Sequence, residues 1–91
     1  MSGMTGRFAR VPVRAAAMND LSGCDLRVFI AIAAHANSDG LAWPGMTTIA
    51  AVTGIRRQDV PRTIRRLERF RLLRCEPGGG SNGANAYTVI F

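Results

Sequence analysis

The 91 residues are enough for one domain with a single modest core. Apolar residues make up 47% of the chain and charged residues 20%, a composition that excludes an intrinsically disordered protein. The net charge of +6 predicts a polyanionic partner, and the absence of lysine excludes a Walker-type phosphate loop and a Schiff-base enzyme.

The chain starts with a basic segment. Residues 1–14 contain Arg7, Arg10 and Arg14 and are predicted to form a partly flexible arm ahead of a domain at residues 15–91. Such an arm could reach into a minor groove or simply fray, and Arg10–Arg14 could instead lie extended against the domain. With no apolar run near the length of a membrane span and no signal-peptide core, we predict a cytoplasmic protein without a membrane partner.

Ser22 and Asp25, three residues apart, predict a capping box at the start of a first helix. One apolar stripe on this helix is the expected core face: Leu26, Phe29, Ile30 and Ala33. A second stripe makes the helix apolar nearly all round: Val28, Ile32 and Ala36. Something must cover that second side, either the N-terminal segment through Val11 and Val13 or the same helix of a second copy in a homodimer.

A turn signature at residues 37–40 leads to Leu41–Trp43, which must be extended because Pro44 follows. This segment is predicted to join the later strands as a third strand, with Trp43 in the core in preference to stacking on a base. Two lone thiols, Cys24 and Cys75, lack metal-ligand spacing and are predicted to be small packing residues.

The central stretch, residues 48–73, reads as a short apolar helix, a turn at Thr53-Gly54, and a second helix. Ile55 is expected to fill the angle between the two helices. At 100° per residue the second helix has an apolar side that must be buried: Val60, Ile64, Leu67 and Phe70. Its opposite side is polar and basic: Gln58, Arg62, Arg65, Arg66 and Arg69. Only Glu68 supplies a negative charge nearby, which favours a nucleic-acid partner over a merely solvated face.

Pro61 decides where the second helix begins. A start near Arg56 would place the proline past the first turn, where it would break a hydrogen bond and clash. With Asp59 as the N-cap, Pro61 falls within the first turn, where it is tolerated. We therefore predict the later start, which leaves Arg56, Arg57 and Gln58 as an irregular basic lead-in.

Residues 72–76 and 86–91 alternate in polarity and predict two strands of a β-hairpin wing around a glycine-rich loop. The loop precedes no helix and lacks lysine, so a wing tip is favoured over a phosphate-binding loop. The wing is expected to touch a sugar-phosphate backbone through Ser81, Asn82 or Asn85.

Together these segments resemble the winged helix-turn-helix families of bacterial and phage regulators and plasmid replication initiators. The resemblance rests on Gly40-Leu41-Ala42-Trp43-Pro44, Thr48-Ile49-Ala50, Thr53-Gly54-Ile55, residues 63–68, Leu72-Leu73 and Tyr87. It implies an α+β fold of three helices and a two- to three-stranded antiparallel sheet. The chain departs from these families at Arg56 and Asp59, where they usually have a capping hydroxyl and a small polar residue.

The resemblance also implies binding of double-stranded DNA with the third helix in the major groove, in transcription control or replication initiation, within the nucleoid. Phosphate contacts are predicted for Arg62, Arg65, Arg66 and Arg69, and base contacts for Arg57 and Gln58. Further predicted DNA contacts are Arg56, Thr47, Thr48 and Asn82. We predict no cofactor, no metal and no catalysis, since one histidine and six scattered carboxylates provide no nucleophile beside a base. The alternative is a winged helix that docks on an acidic or nucleic-acid-binding protein.

Overall fold

A computed structural model describes residues 9–79 and 85–90 of the chain. Within them lie three α-helices, α1 (Gly23–Ala34), α2 (Met46–Thr53) and α3 (Val60–Arg69). Three strands, β1 (Leu41–Ala42), β2 (Leu73–Glu76) and β3 (Ala86–Val89), form one antiparallel sheet. Single 3-10 turns occur at Val13–Ala17 and Arg57–Asp59. This arrangement confirms the predicted α+β architecture.

Helix α1 begins with the predicted capping box. Ser22 Oγ accepts a hydrogen bond from the Asp25 backbone nitrogen, and Asp25 Oδ2 accepts one from the Ser22 nitrogen. Val28, Phe29 and Ile32 are fully buried, so both predicted stripes contribute to the core. Ile30, predicted to face the core, is instead 47% exposed, because α1 packs against α2 and α3 through its other sides.

The N-terminal segment helps to cover α1. Ala15 is buried in the core, and Val11 packs against it, whereas Val13 points into solvent and is 86% exposed. Arg14 fastens the segment by donating hydrogen bonds to the carbonyl oxygens of Arg71 and Ile90 at 3.0 and 2.9 Å. Of the two N-terminal residues predicted to cover α1, Val11 therefore packs on the core of its own chain, and Val13 does not. Residues 1–8 of the predicted arm lie outside the described residues.

A glycine turn joins α2 to the segment that leads into α3. Gly54 ends α2 in the left-handed conformation, with φ of 75°, as the sequence predicts. Thr53 Oγ1 donates to the Ile49 carbonyl at 2.7 Å and accepts from the Ile55 nitrogen at 3.2 Å. This side chain therefore fixes the turn, and half-buried Ile55 packs against the core as expected.

Helix α3 starts late, as Pro61 requires. Asp59 is its N-cap residue, and Pro61 lies in the first turn, which confirms the predicted boundary. The basic lead-in is more regular than expected, because Arg57–Asp59 forms a 3-10 turn closed by a hydrogen bond from the Asp59 nitrogen to the Arg56 carbonyl.

The sheet has the order β1-β3-β2, so Leu41–Ala42 joins the wing as the predicted third strand. Ala42 pairs with Tyr87, and Tyr87 pairs with Cys75. Ala42 and Tyr87 are fully buried and face the helices. The neighbours of Ala42 in the chain consequently point away from the core, since side chains alternate along a strand.

Besides that for Ile30, two further sequence predictions about packing are wrong. Trp43 is 47% exposed and does not belong to the core, because the alternation just described turns it outward. Cys24 is exposed near the start of α1, whereas half-buried Cys75 packs against the core as expected. Phe91, the last residue of the second predicted wing strand, lies outside the described residues.

Candidate nucleic-acid interface

The outer side of α3 forms a row of exposed arginines, Arg62, Arg65 and Arg69. The inner side of the helix buries Val60, Ile64, Leu67 and also Thr63, and this burial fixes how the helix is rotated. Among the described residues, Arg65 and Arg69 have no hydrogen-bond or ion-pair partner for their side chains. Their guanidinium groups are therefore available to an external anion.

The N-terminal end of α3 carries one carboxylate between two arginines. Arg56 Nε lies 3.1 Å from Asp59 Oδ2, and Arg62 Nη2 lies 3.7 Å from Asp59 Oδ1. The Asp59 side chain makes no capping hydrogen bond to the helix backbone. Asp59 thus occupies the predicted N-cap position, but its carboxylate orients arginines instead of satisfying backbone N–H groups.

A further arginine connects the lead-in to α2. Arg57 Nε donates to Thr47 Oγ1 at 3.1 Å. Both residues are predicted DNA contacts, and this bond holds Arg57 against the first turn of α2. Thr48 and Gln58 are exposed nearby in the chain. Asn82, predicted to contact the backbone from the wing, lies outside the described residues.

Arg66 differs from the other arginines of α3, because it is bound to Asp25 of α1. Its Nε lies 3.2 Å from each Asp25 carboxylate oxygen, and its Nη2 lies 3.0 Å from Oδ2. Nη2 also donates to the Asp20 carbonyl at 3.1 Å, and the guanidinium carbon lies 5.6 Å from the Phe70 ring centroid. Arg66 therefore ties α3 to the start of α1, and a phosphate would have to compete with a carboxylate for it.

The Asp25 carboxylate is almost fully buried, with 2% of the residue exposed. Burial alone would raise its pKa, but hydrogen bonds from Arg66 and Ser22 and the charge of Arg66 outweigh that effect and lower the pKa below 3.8. The same carboxylate raises the pKa of Arg66. The pair is consequently ionised throughout the neutral range.

This pKa shift predicts how stability depends on pH. Because the folded-state pKa of Asp25 is below its unfolded-state value, its contribution is complete above that unfolded value, close to 3.8, and is lost as the pH falls through the folded-state pKa. We expect the free energy of unfolding, measured in urea between about pH 2 and 6, to fall more steeply with acid for the wild type than for Asp25→Asn. If the free energy of unfolding fell equally steeply with acid in the two proteins, the predicted contribution of Asp25 would be wrong.

The sequence contained a signal for the Asp25–Arg66 pair. Asp25 lies three and four residues before buried Val28 and Phe29, so a carboxylate occupies the inward-facing row of α1 and needs a cation. Arg66 lies about 40° round α3 from Arg62 toward Phe70, at the edge of the basic side. Sequence reasoning treated the basic side as uniform and missed this partner.

Helices α2 and α3 are connected through the left-handed Gly54, and α3 presents its basic side outward. A family model described as a helix-turn-helix domain matches residues 19–73, more than half of the chain. The chain belongs to the helix-turn-helix domain family. The matched part of this helix-turn-helix domain contains α1, β1, α2 and α3 and therefore the whole arginine row. The chain has no significant match among the curated proteins, and none among the solved structures.

In residues 9–79 and 85–90, no group of three or more histidine, cysteine, aspartate or glutamate side chains is placed to hold a metal ion. None of the described helices is long and apolar enough to cross a membrane. His35 ends α1, and its Nδ1 donates to the Ala31 carbonyl oxygen at 2.8 Å, which is a local structural bond.

An open apolar groove lies between α1 and α2. It is lined by Ala9, Arg27, Ile30, Ala31, Ala34, Val52 and Thr53. Ile30 and Val52 are 47% and 40% exposed there. The homodimer through α1 stays a prediction, since nothing in a single chain shows what covers this groove.

Proposed function

We propose that this helix-turn-helix domain binds double-stranded DNA, with α3 directed into the major groove. The observation that carries the proposal is the row formed by Arg62, Arg65 and Arg69 on the outer side of α3. Three planar cations on one helix match the repeating phosphates along a groove. Control of transcription or initiation of replication is the biological role we propose for such a module.

The arginines divide into two groups by position. Arg62, Arg65 and Arg69 follow the length of α3 and would contact phosphates, which positions the helix without reading sequence. Arg56, Arg57 and Gln58 lie at the N-terminal end of α3, the end that meets base edges in helix-turn-helix complexes. Thr47, held by Arg57, and Thr48 would add backbone contacts from α2.

A second candidate function is docking on an acidic protein surface. The ion pairs of Asp59 with Arg56 and Arg62 favour it, because they place a negative charge where bases would be read. A protein surface with carboxylates and amides could accept this mixed charge pattern, whereas phosphates repel the carboxylate.

The test is fluorescence anisotropy of labelled duplexes of unrelated sequence across a salt series. We expect binding of all of them at low salt, with log K falling against log salt with a slope of about −3 if the three arginines of the row meet phosphates. Selection from a randomised duplex pool would then identify the preferred sequence. Absence of binding at low salt would contradict the DNA proposal, and the arginine row would then be tested for an acidic protein partner.

A further inference from the structure

We propose that Trp43 forms a second contact with DNA, packing its indole against the deoxyribose-phosphate backbone at the wing end of the sheet. This inference rests on the proposed DNA-binding function and extends it to a surface outside α3. Its starting point is the 47% exposure of the single tryptophan in the chain.

Strand pairing places Trp43 at the wing end. Trp43 directly follows Ala42, whose partner is Tyr87, so antiparallel pairing puts it beside Ala86, the first residue of β3. Ala86 in turn pairs with Glu76, the last residue of β2. Residues 77–85, the predicted wing tip, connect these two strand ends along the chain. Trp43 therefore lies next to the base of the wing.

The same position is adjacent to the start of α2. Only Pro44 and Gly45 separate Trp43 from Met46, where α2 begins. In the first turn of α2, Thr47 accepts the hydrogen bond from Arg57, which belongs to the basic lead-in to α3. Trp43 is thus connected to the proposed interface through the start of α2 and the Thr47–Arg57 pair.

The exposure of Trp43 is unfavourable unless a partner covers it. Full burial of a large apolar side chain is worth roughly 2 kcal/mol, and half of the residue here remains in water. Leu41, on the same outer side of β1 but farther from the wing end, is 37% exposed. An indole can cover the apolar face of a deoxyribose while its N–H group donates to a phosphate oxygen.

The surrounding charge favours DNA as the partner. Arg57 carries positive charge at the first turn of α2, where its Nε donates to Thr47 Oγ1, and Arg56 precedes it in the chain. At the wing end of the sheet the nearest carboxylate in the strands is Glu76, two strands from Trp43 and therefore roughly 10 Å away. An anionic backbone that reached Trp43 would meet the arginines first, whereas a basic or neutral protein would not be drawn to this surface.

The single tryptophan makes the proposal directly measurable. Duplex binding is followed by anisotropy of labelled DNA, and the accessibility of Trp43 is followed separately by acrylamide quenching of its fluorescence. We expect saturating duplex to lower the quenching constant at least about twofold, since a covered indole is shielded from the quencher. Trp43→Ala should weaken duplex binding about fivefold without changing the salt slope, because an apolar contact releases no counterions.

Leu41→Ala is the matched control, because it truncates a large apolar residue on the same strand face, farther from the wing. It should leave duplex affinity within about twofold of the wild type. Circular dichroism of each variant checks folding, and the quenching result on the wild type decides the question if Trp43→Ala does not fold.

The outcomes separate the two proposals. Duplex binding with unchanged quenching of Trp43 would overturn the Trp43 contact and leave the arginine interface standing. Equal losses for Trp43→Ala and Leu41→Ala would also overturn it, since the effect would not be specific to the wing end. No duplex binding at low salt would overturn both proposals together.

Discussion

The double substitution Arg62→Ala/Arg65→Ala should flatten the salt dependence of duplex binding by about 2 in the slope of log K against log salt. Each arginine that leaves a phosphate removes roughly one released counterion. Near 0.1 M salt the loss in affinity should be on the order of a hundredfold. The measurement is the anisotropy salt series on one random-sequence duplex, with wild type and variant in parallel.

The matched control is Arg27→Ala/Arg74→Ala, which removes the same charge from exposed arginines on α1 and on the outer side of β2. Long-range attraction would fall equally in both variants, but direct phosphate contacts would be lost only in the first. We expect the control to change the slope by less than about 0.5. Equal effects of the two variants would show that net charge, and not the α3 row, drives binding.

Arg66→Ala should behave differently from substitutions in the row. Its guanidinium is held by the Asp25 carboxylate, so the slope should change by clearly less than the change of about 1 expected for Arg65→Ala. Its main effect should be a lower melting temperature, since buried Asp25 would lose its cation. A slope change equal to that of Arg65→Ala, without loss of stability, would place Arg66 among the phosphate contacts.

Asp25→Ala should lower the free energy of unfolding by about 3 kcal/mol. About 1 kcal/mol comes from the hydrogen bond that the Ser22 nitrogen donates to Asp25 Oδ2, and about 2 kcal/mol from the charge-assisted hydrogen bonds with Arg66. Urea unfolding at pH 7 measures the change. DNA affinity of the folded variant should not fall at temperatures well below its transition, because Asp25 is buried and its removal frees the Arg66 guanidinium.

Asp20→Ala provides the control for the lost charge. Asp20 is an exposed acid five residues earlier, and it contacts Arg66 through its backbone carbonyl, which alanine keeps. We expect a change within about 0.5 kcal/mol. A double-mutant cycle of Asp25→Ala with Arg66→Met then isolates the pair. Additive losses in this cycle would show that the two side chains do not act together.

The boundaries of the elements followed from signals within a few residues. Ser22 with Asp25 marked the start of α1, Gly54 marked the end of α2, and Asp59 with Pro61 marked the start of α3. Each depends on local backbone geometry or a local hydrogen bond, which a short window of sequence contains. The buried side of α3 could be predicted equally well, because an α-helix repeats every 3.6 residues.

The sequence predicted only part of the set of arginines that is free to form the interface. The periodicity grouped Arg66 with Arg65, yet the structure pairs Arg66 with a carboxylate 41 positions earlier in the chain. Asp59 was recognised as an N-cap position, but its pairing with Arg56 and Arg62 depends on side-chain directions that the sequence does not specify. The charge pattern of a sequence shows how many arginines lie on one side of a helix. It does not show which of them already have a carboxylate partner.

The sequence by itself determined the class of fold, the order of the elements and the presence of a basic side on α3, since propensity, turn chemistry and periodicity are local properties. Only the tertiary structure decided that Arg66 binds Asp25 and that Trp43 points outward. The first depends on how α1 packs against α3, and the second on which side of β1 faces the helices once β1 pairs with β3. Contacts between segments that are far apart in the chain fix both the Arg66–Asp25 pair and the direction of Trp43, so no local sequence pattern could predict them.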